Sequence, residues 1–349
     1  MKPSGMQESA TRAEVACIDC GGGPVCPVFV RQPKEANFAR RAGGDERPGD
    51  DKYILVRCER CGSVFLHPHY FEEASAVYTD PRYFGDYYPG NIHSGGGPPA
   101  GKVELSAYGR WNGRRQARGL LRMAGLDPSV RLVRVADIGC AYGFLVQAFA
   151  EEGCDAYGVE VSEQALKAQS KGLNVHHGRF EEAPFEDGYF DLIVANQVVE
   201  HIVDLGSLCE ALYRTLKPDG RVILAVPNDL EGSRSLIWRR RPWWLIPPMH
   251  VRYFTRVSAQ RIFARHGFRL ERVFTTGEIT TTILSPLLKW RLKRTRFRGW
   301  VNTKAYKAFM LLFSAVLMPL DWVLTHAGRH NDLMLVLCRT DRPGVRRGF

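Results

Sequence analysis

The sequence predicts an α/β fold in which a parallel β-sheet is covered by helices on both faces. Apolar runs suited to buried strands alternate with helical stretches from Leu132 onward. Two Cys-x-x-Cys pairs precede this alternation, and a basic and apolar stretch interrupts it before the last predicted strand. Together these observations predict a sheet domain with an N-terminal metal-binding module and a helical C-terminal insertion.

Length and charge restrict the class of protein. A chain of 349 residues suits one large or two unequal domains, and 45% hydrophobic with 24% charged residues excludes wholesale disorder. There are 25 basic and 32 acidic residues up to Ser233, against 23 and 5 beyond it. This asymmetry predicts an anionic partner, such as a phospholipid surface, nucleic acid or a phosphorylated substrate. The polar start, Met1 to Glu14, does not resemble a secretory signal, so we expect a cytoplasmic protein.

The two cysteine pairs predict a structural zinc site. Cys17 and Cys20 form the first pair, Cys58 and Cys61 form the second, and a glycine directly follows each. Four thiolates suit tetrahedral zinc, and a chain without an export signal favours metal over disulfides. Cys26 is a competing ligand.

A linker and a helical cover are predicted next. Tyr78 to Tyr88 is dense in aromatic residues, and Gly95 to Gly101 is rich in glycine and proline, which indicates a hinge or a mobile cover. From Val103 to Ala124, arginines recur every four positions and predict one solvated face of a helix. These arginines are Arg110, Arg114, Arg118 and Arg122.

The alternating region gives a coarse set of elements. The predicted strands are Leu132 to Ile138, Ala156 to Glu160, Leu192 to Asn196, Arg221 to Val226, Phe268 to Phe274 and Leu333 to Cys338. The predicted helices are Phe144 to Glu152, Glu163 to Lys171, Leu205 to Leu216 and Arg256 to His266. Such alternation is typical of a parallel sheet.

The turn after the first of these strands predicts a nucleoside ligand. The segment Asp137 to Gly143 begins and ends its turn with glycines that let a ligand approach the backbone. Glu160 follows Asp137 by 23 residues, a spacing at which a carboxylate can bind two ribose hydroxyls. The Gly-x-Gly-x-x-Gly pattern that supports a pyrophosphate is absent, which disfavours a dinucleotide.

Four blocks in order make the chain similar to the class I S-adenosylmethionine-dependent methyltransferases. They are Asp137-Ile138-Gly139-Cys140-Ala141-Tyr142-Gly143, Gly158-Val159-Glu160-Val161-Ser162, Phe190-Asp191-Leu192-Ile193-Val194-Ala195-Asn196 and Leu216-Lys217-Pro218-Asp219-Gly220. The resemblance covers about Tyr108 to Val273. It implies a Rossmann-like seven-stranded methyltransferase sheet and S-adenosyl-L-methionine as the cofactor.

The resemblance also implies a set of cofactor-binding positions. Gly139 and Gly143 would border the methionine part, with Asp137 near its amino group, and Glu160 would hold the ribose. The other implied positions are Cys140 in the glycine turn, Val161 after Glu160, Phe180 and Glu181 at the adenine edge, and Asn196 on the cofactor floor. Arg179 stands where many relatives have an adenine-contacting Asp, so adenine recognition would fall to backbone groups near Phe180.

Catalytic candidates follow the predicted strand Leu192 to Asn196. His201 lies at the carboxyl edge of the sheet, and an imidazole with a pKa near 6.5 suits removal of a proton from the nucleophile. Glu200 could orient the imidazole or a substrate hydroxyl, and the segment that carries His250 and Tyr253 is expected to close over the substrate. The structural alternative for His201 is an ordinary hydrogen bond at a helix start.

Two chemistries are disfavoured. Quinone-pathway O-methyltransferases with a similar motif place carboxylates and this histidine around a divalent metal, but Asn196 and Gln197 supply no acid before Glu200. Amide or adenine-amine methylation in relatives uses an Asn-Pro-Pro-aromatic block after the fourth strand, and Asn196-Gln197-Val198-Val199 differs from it.

The C-terminal insertion predicts attachment to a membrane surface. Lys289 to Trp300 interleaves cations with aromatic residues, which suits the headgroup region of an anionic leaflet. Ala308 to Leu320 is 13 uncharged residues interrupted by Pro319, shorter than the ~20 that a spanning helix needs. There are two alternatives. The apolar run could pack on the protein core, or the basic and aromatic residues could bind RNA.

We expect a methyltransferase that acts on a hydroxyl of a sugar, a glycan precursor or a related small molecule, lipid-linked precursors included. An rRNA methyltransferase and a non-catalytic cofactor-binding adaptor are the alternatives, and the sequence leaves the oligomeric state open. The expected divisions are a zinc-binding ribbon-like module at 1–70, a linker and helical cover at 71–125, the methyltransferase core at 126–282, a basic and apolar helical insertion at 283–327, and the last strand with the tail at 328–349.

Overall fold

The computed structural model describes residues 15–31, 53–79, 107–232, 247–277 and 304–340, together with Ser235 and Leu245. Its strands are β1 (Val25–Arg31), β2 (Tyr53–Cys58), β3 (Val64–Leu66), β4 (Arg134–Ile138), β5 (Asp155–Glu160), β6 (Val175–His177), β7 (Phe190–Asn196), β8 (Leu216–Pro227), β9 (Arg252–Tyr253), β10 (Phe268–Thr276) and β11 (Asp332–Arg339). Its helices are α1 (Phe71–Thr79), α2 (Ala107–Ala124), α3 (Phe144–Glu151), α4 (Gln164–Gln169), α5 (Leu205–Thr215), α6 (Arg256–Arg265) and α7 (Lys304–His326). Short 3-10 turns cover Pro68–Tyr70 and Phe180–Glu182.

Seven strands form one sheet in the order β10-β11-β8-β7-β4-β5-β6. β11 runs antiparallel to both of its neighbours, and the other pairs in this sheet are parallel. The predicted seven-stranded α/β sheet is therefore confirmed. Each of the six predicted strands is present, with ends shifted by a few residues.

The core lies on both faces of this sheet, which explains the continuous apolar runs in the strands. Neighbouring residues point to opposite faces, as Ile193 does toward one core cluster and Val194 toward the other. Helices α5 and α6 cover the first face, and α2, α3 and α4 cover the second. On α2, Arg110, Arg118 and Arg122 are exposed as predicted, whereas Arg114 is half-buried and its Nε lies 2.6 Å from Oε1 of Glu152.

The strand order reverses between β4 and β7. From β4 the chain proceeds through β5 to β6 on one side, and β7 and β8 lie on the other side. In open parallel sheets, ligands bind beyond the carboxyl ends of the strands where the order reverses, because the two flanking loops separate there. The loops after β4 and β7 therefore define the place to look for a site.

A second sheet, in the order β1-β2-β3-β9, carries the cysteine pairs. All of its pairings are antiparallel, and its last strand comes from the segment between β8 and α6 rather than from the N-terminal region. The small sheet is thus completed by a piece of the chain that belongs to the larger domain.

Helix α7 lies between β10 and β11, where the insertion was predicted. Pro319 lies inside the helix and does not end it. Among the described residues, no helix is both long and apolar enough to span a bilayer. The predicted hinge at Gly95 to Gly101 and the basic segment Lys289 to Trp300 lie outside the described residues.

Candidate active site

The turn between β4 and α3 packs directly against the segment that follows β7. Gly139 has a φ of 70°, and a Cβ at this position would lie 2.5 Å from Cγ2 of Val198. Only glycine therefore allows the two loops to meet this closely. Ala141, with a φ of 46°, adopts the same left-handed conformation, and its amide points at the neighbouring strand end.

Glu160 organises this turn from the end of β5. Its Oε2 accepts a hydrogen bond of 2.9 Å from the Ala141 amide, and its Oε1 accepts one of 2.9 Å from the Ser162 amide. A carboxylate has about four acceptor positions. Glu160 can therefore hold the turn and still accept hydrogen bonds from two ribose hydroxyls.

Asp137, at the end of β4, is a buried acid beside Glu160. Burial, with a smaller effect of the Glu160 charge, raises the pKa of Asp137 to about 8. A cationic group bound next to it would favour the ionised form. The paired acids thus suit a ligand that carries an amino group and a ribose, which fits S-adenosylmethionine.

The other predicted cofactor positions surround these acids in different ways. Val161 and Asn196 are exposed at strand ends, where they can line a ligand. The Phe180 ring is buried among Phe185 and Phe190, so an adenine contact at this position would come from its backbone. The Glu181 carboxylate lies 3.2 Å from the Arg179 guanidinium.

Cys140 and Gly143, the other predicted positions in the glycine turn, pack tightly against neighbouring elements. Cys140 is buried, and a Cβ on Gly158 would lie 2.6 Å from its Sγ, so its side chain faces β5. A Cβ on Gly143, whose φ is 73°, would lie 2.6 Å from Cδ1 of Leu173. Both residues can contribute only backbone groups toward a ligand.

Glu200, His201 and His250 lie together after β7. One ligand atom from each lies within 4.8 Å of the others, and the two imidazole rings are 4.9 Å apart. His201 Nδ1 lies 2.8 Å from the Met249 carbonyl oxygen. Because a carbonyl only accepts, this contact favours the tautomer with the proton on Nδ1 and the lone pair on Nε2. That Nε2 lies 3.7 Å from Oε1 of Glu200.

Burial sets the protonation of this cluster. It lowers the pKa of His201 to about 3, with a further contribution from His250, so the imidazole is neutral near pH 7. Burial also raises the pKa of Glu200 well above its usual value, and neither of its carboxylate oxygens has a hydrogen-bond partner among the described residues. The ligand atoms of Glu200, His201 and His250 are also close enough together to bind a divalent cation. The expectation that this site works without a metal stays a prediction.

Asp229 is a site residue that the sequence analysis missed. It is buried just beyond β8, and its Oδ2 lies 3.4 Å from Nδ1 of His250. The signal that could have found it is its position, because it follows the carboxyl end of the strand next to β7. With Asp229 included, two carboxylates flank the two imidazoles.

The four predicted zinc ligands also come together. The sulfur atoms of Cys17, Cys20, Cys58 and Cys61 lie within 4.8 Å of one another, and the closest two pairs are 3.5 and 3.6 Å apart. A tetrahedron with metal–sulfur bonds of about 2.3 Å has sulfurs about 3.8 Å apart. The donor set therefore fits zinc. Cys26 lies on β1 opposite Arg57 and is outside this group.

Comparison with known proteins agrees with the methyltransferase class that the sequence motifs predict for the domain built on the larger sheet. Residues 108–273 match the family model described as "Methyltransferase domain". The matched residues contain β4 to β9 and most of β10, and β11 completes the seven-stranded sheet from outside the match. The match and the relatives below support a class I S-adenosylmethionine-dependent methyltransferase.

Individual relatives are distant. The Mycolicibacterium smegmatis protein named "Probable S-adenosylmethionine-dependent methyltransferase" is 26% identical over 153 residues, which cover 43% of this chain and 54% of that protein. The ubiquinone biosynthesis O-methyltransferase of Methylococcus capsulatus is 31% identical over 118 residues, or 31% of this chain and 50% of the relative. A SAM-dependent methyltransferase structure from Archaeoglobus fulgidus has 21% identity, a TM-score of 0.43, and coverage of 64% of this chain and 93% of that one. The chain spans about half the length of these two curated relatives.

Proposed function

We propose that this protein transfers a methyl group from S-adenosylmethionine to a hydroxyl of a sugar, a glycan precursor or a related small molecule, lipid-linked precursors included. The observation that carries this proposal is the buried cluster of Glu200, His201 and His250 at the sheet edge, next to the glycine turn. A hydroxyl is a poor nucleophile until its proton is removed, and the neutral imidazole of His201 can accept that proton. Burial lowers the pKa of His201 to about 3 rather than leaving it near 6.5, so a negative charge beside the imidazole would have to raise this pKa during transfer.

The residues around the glycine turn would hold the cofactor. Glu160 would bind the ribose hydroxyls, and Asp137 would face the amino group. Gly139 and Gly143 would border the methionine part, and Asn196 would line the cofactor floor. The backbone at Cys140, Phe180 and Glu181, with the exposed Val161, would complete the cleft. When bound, the cofactor supplies a methyl group carried on a positively charged sulfur.

The cluster after β7 would remove the proton from the acceptor hydroxyl. His201 Nε2 would take this proton as the hydroxyl oxygen bonds to the methyl carbon, and the electron pair of the broken carbon–sulfur bond would leave with the sulfur as a neutral thioether. The resulting imidazolium lies 3.7 Å from Oε1 of Glu200. A Glu200 that has already lost its proton to solvent would stabilise this imidazolium and raise the pKa of His201. His250, whose Nδ1 lies 3.4 Å from Oδ2 of Asp229, would orient the acceptor. Alignment of the reacting atoms can contribute roughly 7 to 11 kcal/mol to lowering the barrier.

We also propose that residues 1–70 form a zinc-binding module, ligated by the four cysteines, and that 71–125 form a linker and cover. The core at 126–282, the insertion at 283–327 and the final strand with its tail complete the proposed division.

The insertion would hold the protein at an anionic membrane surface on the cytoplasmic side. Leu312, Val316, Leu320 and Val323 are exposed on α7 at helical spacing, and form one apolar stripe. The sequence just before this helix is strongly basic. A lipid surface matches both features.

A transfer assay tests the proposed substrate class. S-adenosylmethionine with a labelled methyl group is incubated with the protein and with fractionated lipids, glycans and RNA. We expect label in a glycan or glycolipid fraction, loss of that label in His201→Ala, and retention in a matched exposed-histidine control, His69→Ala. Label in RNA would replace the proposal with the rRNA alternative. Binding of the cofactor without transfer to any fraction would support an adaptor instead.

A further inference from the structure

Arg252 joins the cysteine module to the turn that carries the proposed base. Its Nε donates a 2.7 Å hydrogen bond to Oδ1 of Asp19, and its Nη2 donates one of 3.0 Å to the Val203 carbonyl. Its Nη1 donates to the Ile202 carbonyl. One guanidinium thus binds the cysteine module on one side and the two residues after His201 on the other.

Asp19 lies inside the first cysteine pair, between Cys17 and Cys20. Its second carboxylate oxygen accepts a hydrogen bond from the Ser63 hydroxyl, which follows the second pair. The Asp19 carboxylate is therefore fixed by both cysteine turns. A change in the spacing of these turns would move the acceptor that Arg252 uses.

The backbone near Arg252 makes a second connection. The amides of Val251 and Arg252 both donate to the Glu200 carbonyl, at 2.8 and 3.0 Å. The Val251 carbonyl in turn accepts from the Leu66 amide at the end of β3. Glu200 is therefore bonded to the strand that completes the sheet of the cysteine module.

Burial makes this connection rigid. The side chains of Arg252 and Asp19 are each only 2% exposed. Separating such a pair leaves a buried charge without compensation, which is strongly unfavourable. The cysteine turns and the turn at 200–203 are therefore held to one relative position.

We propose that Arg252 is a positioning residue that fixes the Glu200 to Val203 turn against the cysteine module, so that metal in the four-cysteine site sets the position of His201. This inference rests on the proposed function for the role of His201. The linkage itself involves only contacts within the chain. Its physical content is that loss of the metal or of the Asp19 pair loosens a turn in the other domain.

Hydrogen exchange of the full-length protein, read by mass spectrometry, tests the linkage without any substrate. The zinc-loaded chain is compared before and after treatment with a chelator, and with the variants Arg252→Gln and Asp19→Asn. We expect exchange to become at least about tenfold faster in peptides that cover 199–204 and 249–253. Peptides from β4 and β5 should stay unchanged. The control Arg269→Gln replaces an exposed arginine on β10 and should have no effect.

The results separate a positioning role from general unfolding. Faster exchange throughout β4 and β5 in Arg252→Gln would indicate general unfolding, and Arg252→Lys is then compared instead. Lysine keeps the positive charge next to Asp19 but cannot donate to both the Ile202 and Val203 carbonyls. Arg252→Lys should raise exchange only at 199–204. Unchanged exchange at 199–204 after metal removal, or in Arg252→Lys, would overturn the proposal. Unchanged affinity for S-adenosylhomocysteine is expected in every variant, and a failed methyl-transfer assay would leave the linkage result standing.

Discussion

At the scale of single residues, Asp137 at the end of β4 is expected to make cofactor binding in the proposed cleft depend on pH. Burial raises the pKa of Asp137 to about 8, so in the free protein its carboxyl is protonated below that pH. An amino group bound beside it favours the carboxylate, so binding there must release a proton below pH 8. Affinity therefore rises as the pH rises toward 8 and levels off above it.

We therefore expect affinity for S-adenosylhomocysteine to increase between pH 6 and 8, by at most about tenfold per unit. Asp137→Asn cannot ionise and should show a much weaker slope. Titration calorimetry in buffers of different ionisation enthalpy measures both the affinity and the proton release. Equal slopes in the two proteins would assign the pH dependence to another group.

Glu160 provides the second residue-scale prediction. Glu160→Ala removes acceptors for the ribose and for the Ala141 and Ser162 amides that shape the turn. Hydrogen bonds to a charged group are worth about 1.5 to 3 kcal/mol, so affinity for S-adenosylhomocysteine should fall more than about tenfold. Calorimetry with the exposed-acid control Glu163→Ala should show no such loss. Unchanged affinity in a folded Glu160→Ala protein would refute the ribose assignment.

His201 provides the third. His201→Ala should reduce turnover by roughly 100-fold to 10,000-fold, because a general base contributes in that range, while cofactor affinity stays nearly constant. Since burial lowers the pKa of His201 to about 3, its neutral form persists well below pH 6.5. Turnover should therefore lack an acid limb at the usual histidine pKa. The label-transfer assay between pH 5 and 8 checks both statements, and near-normal turnover would transfer the role to His250.

At the scale of elements, the long buried strands of the larger sheet could be predicted from the sequence, and the shortest strands could not. Strands β4, β7 and β11 are apolar on both faces, so their runs are visible without tertiary information. β9 has two residues and β6 has three, too few to show any periodicity.

The candidate site divides in the same way. His201 was predictable because it follows a recognisable strand, and Gly139 because its turn has a known sequence pattern. Asp229 and Arg252 act through tertiary contacts, with His250 and with Asp19, that no local pattern contains. Local sequence located the turns, and only the fold showed which side chains meet across them.

The cysteine turns give the element-scale prediction. The protein purified without chelator should hold about one zinc ion per chain, and replacing Cys17 and Cys58 with serine should remove it. β1 to β3 should then lose protection, because ligation supplies much of the folding energy of so small a sheet. Elemental analysis measures the zinc, and hydrogen exchange measures the protection of β1 to β3. Replacing Cys26, which lies outside the cluster, is the matched control. Zinc retained in the double variant would contradict the ligand set.

At the scale of the whole molecule, charge and exposed apolar area are concentrated in the same part of the chain. The residues beyond Ser233 carry 23 cations and 5 acids. Within that region, α7 exposes its apolar stripe, with Leu312 and Val316 each 70% exposed. Apolar side chains usually find partners within their own fold or at an interface. His330, 3.3 Å from Asp321, links the opposite side of α7 to the start of β11.

Binding to vesicles tests whether this region meets a membrane. Each cation near an anionic leaflet contributes about 1 kcal/mol, and the six between Lys289 and Arg298 give reversible binding. Cosedimentation should rise with the anionic lipid content and fall with salt as screening grows. Vesicle binding should drop when Lys289, Arg291, Lys293 and Arg294 become Gln, because the attraction to anionic lipid is lost.

Binding should also drop in the double variant Val316→Ser with Val323→Ser, because less apolar area of the stripe can be buried in the lipid. Leu166→Ser replaces an exposed leucine on α4 and is the matched control. If binding ignores lipid charge and salt, or is absent, the stripe is covered by the protein itself, and a soluble acceptor becomes the better expectation for the substrate.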